Sequence, residues 1–321
     1  VQVVDEKKWQ QWVVLGTGGT IAGTATNPSD LTAYTAAQLG VEVLLDAVPG
    51  LQETLQGDRL VCEQVAQLDS KDMDHATWQL LAQRCVHWLA QPDVGGIVIT
   101  HGTDTLEETA WFLQSVLDTR KPVVLTCAMR PATAPMPDGP GNLRDALTVV
   151  RHPEACGVLV VCAGGIHRAR DVQKVHPSRL DAFSSGEAGP CGRVEHSQVL
   201  WAATQALTPV HPQARKALAA SVADWPWVEV VYSHAGADAR KIHLLVTAGV
   251  RGLVVAGTGN GTIHQSLLTA LLEARRQGVA VRLTTRCADG QIVGQTAAWQ
   301  TTAPGLNPFK ARIALMLDLM A

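Results

Sequence analysis

No apolar run in this 321-residue chain reaches the ~18 residues that a membrane-spanning helix needs, so no membrane partner is expected. No stripe of basic residues is present either. The 26 Lys and Arg are scattered against 29 Asp and Glu, for a formal net charge of −3, and nucleic acid is not an expected partner. There is no C-x-x-C, which leaves zinc ribbons and thioredoxin-like chemistry without support. There is no H-E-x-x-H, and the 11 histidines are spread out, so no metal site is expected. Charged residues make up only 17% of the chain, but apolar residues make up 46%, which is the balance of a packed globular protein and not of a disordered one. The length suffices for one large α/β domain or two unequal ones.

Seven cysteines are present: Cys62, Cys85, Cys127, Cys156, Cys162, Cys191 and Cys287. Their odd count and irregular gaps point away from a disulfide framework. Cys127 and Cys162 end apolar runs, where buried free thiols are expected. The cysteine usage leans toward a reducing compartment and a cytoplasmic location. Val1 opens the chain without a signal-peptide pattern; a cleaved leader leaves the same mark.

Short apolar runs alternate with helical spacing, the signature of α/β architecture with a parallel sheet. Strands are expected at Trp12–Leu15, Leu60–Val65, Gly96–Thr100, Val123–Cys127 and Val158–Cys162. Thr35 is read as the cap of a helix running to about Val48 and stopped by Pro49. Trp78, Leu81, Cys85, Val86 and Leu89 fall at helical spacing, and helices are also expected over Glu107–Leu117 and Leu143–Val150. Trp78, Trp88 and Trp111 lie at helical positions and read as core. Four prolines and an Asp-Gly pair make Arg130–Gly141 a structured loop. A second, shorter series follows: strands Val228–Tyr232, Gly252–Ala256 and Val279–Thr284, with helices near 237–248, 262–275 and 308–320. The expected fold is a large N-terminal parallel-sheet α/β domain over 1–198, a connector over 199–225, and a smaller C-terminal α/β domain over 226–321.

Two segments carry candidate chemistry. Gly16-Thr17-Gly18-Gly19-Thr20-Ile21-Ala22-Gly23 follows the first strand. A dinucleotide fingerprint would need Gly at Ile21, and a phosphate loop would need Lys at Thr24, so nucleotide readings fail. What remains is a glycine-lined strand end with two hydroxyls, or simply a tight turn. Thr100-His101-Gly102-Thr103-Asp104-Thr105-Leu106-Glu107-Glu108 follows another strand, at the end where parallel sheets bind ligands. Its plainer reading is a capping box, with Thr103 or Asp104 as cap and Glu107 completing it. Asp104 is a suitable partner for a substrate ammonium. His101 reads as a structural hydrogen-bonder and not as a base.

Thr17–Gly23 together with His101–Thr109 resembles the bacterial L-asparaginase/glutaminase family. The resemblance extends through Met129-Arg130-Pro131, Asp138-Gly139-Pro140, Asn142-Leu143, Arg170-Asp171-Val172-Gln173-Lys174, Ala256–Gly261 and Leu306-Asn307-Pro308-Phe309-Lys310-Ala311-Arg312. It implies a nucleophile at Thr20 and a tyrosine, Tyr34, closing over it from a mobile loop across about Ala22–Ala33. It implies a Thr103–Asp104–Lys174 group, substrate contacts from Gly19, Asp69 and Ser70, and Asn260 reaching a neighbouring subunit's site. The implied working form is a homodimer or a dimer-of-dimers tetramer. The implied reaction is double displacement on the side-chain amide of L-asparagine, with L-glutamine as a side substrate and no cofactor.

On physical grounds a threonine hydroxyl needs a nearby base. Burial would make Lys174 a base and the Asp104 carboxylate would oppose it, so which threonine acts first, and by which base, stays open at this level. Two positions depart from the secreted members' pattern. Lys71 stands where many carry Gln beside the substrate amine, and Thr285–Gly290 offers no clear match for a glutamate that helps bind that amine. The rival readings are the amidase subunit of a tRNA-dependent amidotransferase and a non-catalytic amino-acid sensor. The lack of a basic surface and of an extra N-terminal domain opposes the first, and the full set of reactive side chains opposes the second.

Overall fold

The computed structural model describes residues 11–27, 29, 33–202, 208–294 and 305–320. The larger sheet contains β1 (Gln11–Gly18), β2 (Arg59–Leu68), β3 (Val94–Thr100), β4 (Val123–Thr126), β5 (Val158–Cys162) and β6 (Gly165–Arg168). A short ribbon of β7 (Gln173–Lys174) and β8 (Phe183–Ser184) follows, and β9 (Gly192–Glu195) and β10 (Gln198–Trp201) rejoin the large sheet. The smaller sheet is β11 (Val228–Tyr232), β12 (Gly252–Gly257) and β13 (Ala280–Thr285), all parallel. The helices are α1 (Val41–Asp46), α2 (Leu51–Leu55), α3 (His75–Leu89), α4 (Leu106–Val116), α5 (Gly139–Val150), α6 (Ala214–Ala219), α7 (Arg240–Thr247), α8 (Gln265–Arg276) and α9 (Pro308–Asp318).

The large sheet runs β10-β9-β6-β5-β4-β3-β1-β2. Strands β2, β1, β3, β4 and β5 are parallel, whereas β6, β9 and β10 are added antiparallel. The expected α/β domain with a parallel sheet is present, and antiparallel strands at one edge make the whole sheet mixed. Two of the three reversals come from two-residue turns. Ala163-Gly164 (φ 49° and 76°) joins β5 to β6, and His196-Ser197 (φ 48° and 59°) joins β9 to β10. Left-handed backbone at both central residues is the tight-hairpin geometry.

Alternation along the parallel strands builds two cores. Val13, Leu15, Ile97, Ile99, Leu125 and Val160 face α3 and α4 on one side of the sheet. Trp12, Val14, Val98, Val124, Leu159 and Val161 face α1 and α5 on the other. Such doubly covered strands read as unbroken apolar runs, as these do. The first core continues without a break into the smaller domain through Val228, Val230, Val254 and the buried face of α9. Helix α9 packs on the small sheet and on α4, so it belongs to both halves. The far side of the small sheet has its own core with α7 and α8. Trp78 and Trp111 are buried as expected, and Trp88 packs partly buried at the edge of the first core.

The segment after Thr35 departs from expectation. Thr35 does not cap a helix: its N–H and C=O pair with Thr24 at 2.9 Å each, and α1 starts only at Val41, after Gly40. Ala37 is held in a left-handed conformation (φ 57°) by its bond to the Gly19 carbonyl, which breaks helical continuity. Among the described residues no helix is long and apolar enough to cross a membrane.

Strand β1 has β2 on one side and β3 on the other, so the strand order reverses there. In open α/β sheets the crevice at such a switch point, beyond the carboxyl ends of the strands, is where ligands bind. The segments carrying Thr20 and Thr103 leave the sheet at those two ends.

Candidate functional site

Gly18 and Gly19 adopt φ of 99° and 80°, conformations that suit glycine. A side chain on Gly19 would overlap the Cα of Gly102, and one on Gly102 would overlap Ser70 Oγ. The ends of β1 and β3 therefore meet backbone to backbone, and the Ser70 side chain from the end of β2 packs against them. The Gly19 N–H donates to Leu68 O at 2.9 Å, and Thr17 Oγ1 donates to Thr100 O at 2.9 Å, which ties the first loop to both neighbours.

Thr20 opens a short 3-10 turn over Thr20–Ala22 and is only 8% exposed. Its Oγ1 lies 2.8 Å from Tyr34 Oη, with either oxygen able to donate. Tyr34 is half-buried, and the Thr24–Thr35 bridge closes the base of the loop that carries it. The loop is anchored again where Ala25 N donates to Thr133 Oγ1 and Ala132 N to Gly23 O, both at 2.9 Å. Of the lid expected over 22–33, Pro28, Asp30, Leu31 and Thr32 lie outside the described residues.

Across the contact, Thr103 is buried while Asp104 is 52% exposed at its side chain. Lys174 Nζ donates to Thr103 Oγ1 at 2.8 Å and to Asp104 Oδ1 at 2.6 Å, and Thr103 Oγ1 lies 3.5 Å from Asp104 Oδ1. Ser70, buried, accepts from Asp104 N at 3.1 Å, and its carbonyl accepts from Thr105 Oγ1 at 2.7 Å. Asp69 caps the turn Ser70–Asp72. Gly19, Thr20, Tyr34, Ser70, Thr103, Asp104 and Lys174 are thus joined through direct contacts. Asn260 is not bonded to that group: its side-chain amide holds both backbone groups of Val293, at 2.7 and 2.9 Å.

One reading from sequence changes. The capping box is absent. Helix α4 starts at Leu106, its cap residue Thr105 makes no side-chain cap bond, and Glu107 is drawn elsewhere. Glu107 Oε2 accepts from Lys174 N at 2.5 Å, and Oε1 accepts from Asn307 Nδ2 at 2.7 Å. Lys71, which stands where many members carry Gln beside the substrate amine, is exposed and pairs with Asp72. The Asp72 bond, aided by the fields of Asp69 and Asp104, holds its ammonium above the usual lysine range.

Glu107, Asn307 and Lys310 were not singled out as site residues from sequence. Asn307 followed by Pro308 is a legible helix start, and Asn307 does cap α9. The link from Glu107 to Asn307 spans 200 residues of chain and leaves no local mark.

His101 is fully buried. Its Nδ1–H donates to Gly102 O at 2.7 Å, so Nε2 accepts from Thr109 Oγ1 at 2.9 Å, and Thr109 accepts from Trp78 Nε1 at 2.8 Å. Burial pushes the imidazole down to about 4, so it remains neutral and serves as a brace under the Gly102–Thr103 turn. Among the described residues no group of three His, Cys, Asp or Glu could hold a metal ion. All seven cysteines are free, and Cys127 and Cys162 are buried as expected.

Paired hydroxyls fixed at a switch point, one beside a phenol and one beside a lysine–aspartate pair, are the equipment of a hydrolase that acts through a side-chain oxygen. The chain belongs to the asparaginase family. The family model described as "Asparaginase, N-terminal" matches residues 12–207, and "Glutaminase/Asparaginase C-terminal domain" matches 227–321. It is 37% identical to L-asparaginase 2 of Bacillus subtilis (strain 168), over 95% of this chain and 81% of that one. It is 35% identical to the glutaminase-asparaginase of Pseudomonas fluorescens biotype A, over 99% and 88%. The crystal structure of the probable cytoplasmic L-asparaginase from Campylobacter jejuni superposes with a TM-score of 0.89 at 36% identity, covering 97% of this chain and 95% of that one.

The histidine brace predicts a pH dependence. The folded value near 4 lies below the ordinary 6.5, so the unfolded chain takes up the proton first as pH falls. The stability His101 contributes is whole above about 6.5 and is lost toward about 4. His167, also lowered by burial to about 4, acts in the same window. Unfolding free energy should fall across it, and His101→Asn should remove up to one proton's slope, about 1.4 kcal/mol per pH unit. An unchanged slope in the variant would show that His101 is not held neutral.

Proposed function

We propose that this protein hydrolyses the side-chain amide of L-asparagine to L-aspartate and ammonia through an acyl-enzyme on Thr20, with L-glutamine as a secondary substrate. The observation that carries the reading is the pairing of Thr20 Oγ1 with Tyr34 Oη beside the Lys174–Thr103 bond, at two strand ends that touch.

Thr20 Oγ1 attacks the carboxamide carbon as its proton passes toward Tyr34, which relays it. The C–N bond breaks, the nitrogen takes a proton and leaves as ammonia, and a β-aspartyl ester remains on Thr20. Water directed by the Thr103–Lys174 group then attacks the ester, releases aspartate and restores the hydroxyl. In the observed geometry Lys174 donates to Thr103 Oγ1, so action as a base requires it first to yield a proton. Backbone N–H groups of the turn after β1 and of the segment near Thr103 stabilise the oxyanion; one such donor is typically worth about 10²–10³ in rate. The half-exposed Asp104 carboxylate receives the substrate ammonium and Ser70 receives the α-carboxylate, with Gly19 and Asp69 as further substrate contacts. No metal or organic cofactor enters these steps. Glutamine adds one methylene, a difference worth only about 1–3 kcal/mol in a pocket, which leaves room for the side activity.

The working unit is proposed to be a homodimer or a dimer of such dimers, with Asn260 completing a neighbour's site. A cytoplasmic location accords with seven free cysteines, four of them buried.

Ammonia release tests the reading. Asparagine should be the better substrate and glutamine the poorer, while Thr20→Ala and Thr103→Val should each nearly abolish turnover and keep the fold. Full activity in either variant, or no release from either substrate, would refute it. Full activity in a monomer at high dilution would contradict the shared site.

A further inference from the structure

The Lys310 side chain is 1% exposed, one of the largest wholly buried side chains in the protein. Its Nζ donates to Arg170 O at 2.8 Å and also to Val172 O. Burying an ammonium is costly, and a leucine would fill similar space without that cost. What the lysine does that a leucine could not is hold two carbonyls of one short segment. That segment, 170–172, runs straight into β7, where Lys174 lies.

A second tie acts on the same strand. Asn307, the cap of α9, accepts from Lys310 N at 3.0 Å through Oδ1 and donates to Glu107 Oε1 at 2.7 Å. Glu107 in turn accepts from Lys174 N at 2.5 Å. The N-terminus of a helix belonging largely to the smaller domain thus grips the backbone before Lys174 through Lys310 and at Lys174 itself through Glu107. The Lys174 side chain then spans to Thr103 Oγ1 and Asp104.

We propose that Lys310 is a positioning residue for the Thr103–Asp104–Lys174 group, acting from the smaller domain on the strand that carries Lys174. The inference rests on the role given to Lys174 under the proposed function. Burial lowers the Lys310 ammonium to about 8, in keeping with a group cut off from water. Glu107 and Asp171 favour its charge, while Arg170 opposes it. His167, lowered to about 4, is neutral beside it.

Lys310→Met keeps the chain length and removes the donor. It should lower kcat by about 10–100-fold, the range for small misplacement of a catalytic group from a distance, with KM within about twofold and the circular dichroism unchanged. The decisive comparison is a double-mutant cycle with Lys174→Met. If Lys310 acts through Lys174, adding Lys310→Met to Lys174→Met should cost no further activity. An unchanged kcat in Lys310→Met, or an equal loss in both backgrounds, would overturn the inference. Should Lys310→Met fail to fold, Asn307→Ala, which cuts the Glu107 tie, enters the same cycle with the same expected pattern. Full turnover in Lys174→Met alone would instead overturn the role given to Lys174, an outcome distinct from failure of the Lys310 link.

Discussion

Gly19 and Gly102 touch backbone to backbone, and the arrangement of the site depends on that contact. A side chain on Gly19 would force the ends of β1 and β3 apart, and with them the threonines that follow, and one on Gly102 would press on Ser70 at the end of β2. The contact is possible because these strands are neighbours at the point where the sheet order reverses. The sheet supplies two parallel chain ends at a fixed spacing, and two glycines let them close to contact. Thr20 and Thr103 each lie one residue beyond a touching glycine.

Around that contact most polar groups are bonded, although the buried Thr100 Oγ1 at the end of β3 has no hydrogen-bond partner. His101, Thr109 and Trp78 form a chain of bonds that reaches from the Gly102 turn into the first core, where Trp78 stacks on Phe112 with ring centroids 5.1 Å apart. Thr17 binds the end of β3, and Ser70 binds both Asp104 and Thr105. A buried polar network of this kind fixes one arrangement because each unmade bond would be expensive. The reactive end of the site is looser in comparison: Tyr34 sits on a loop pinned at its base, and Asp104 is half open to solvent. The buried bonds lie beneath Thr20, and the exposed side chain of Asp104 lies on the solvent side. The smaller domain adds to the rigid part, since α9 shares a core with α4 and places Asn307 and Lys310 against the strand of Lys174.

Much of this was legible in the sequence, for identifiable reasons. Strands buried on both faces write themselves as apolar runs, and Val158–Cys162 and Val228–Tyr232 match their observed bounds. The glycine-rich turn and the Thr103–Asp104 segment are local patterns, and their placement at strand ends followed from the runs before them. The hairpin at His196-Ser197 was not legible, because neither residue is the glycine that such a turn usually carries. Thr35 read as a cap because threonine before an apolar stretch usually is one, but a tertiary pairing with Thr24 claimed its backbone. Glu107 read as half of a capping box for the same local reason. Its actual partners, Lys174 and Asn307, are 67 and 200 residues away, and no local pattern encodes contacts over that distance. Lys71 stands out in one dimension as a departure from the secreted members' pattern, and in three its exposed ammonium pairs with Asp72 beside it.

The central claim is that the hydroxyl of Thr20 becomes acylated during each turnover. Enzyme quenched in acid while consuming L-asparagine, then digested and analysed by mass spectrometry, reports this directly. The account predicts an aspartyl group on the peptide containing Thr20, localised to that side chain and absent from enzyme quenched before substrate is added. An adduct mapping to Thr103 or to any other residue would contradict it.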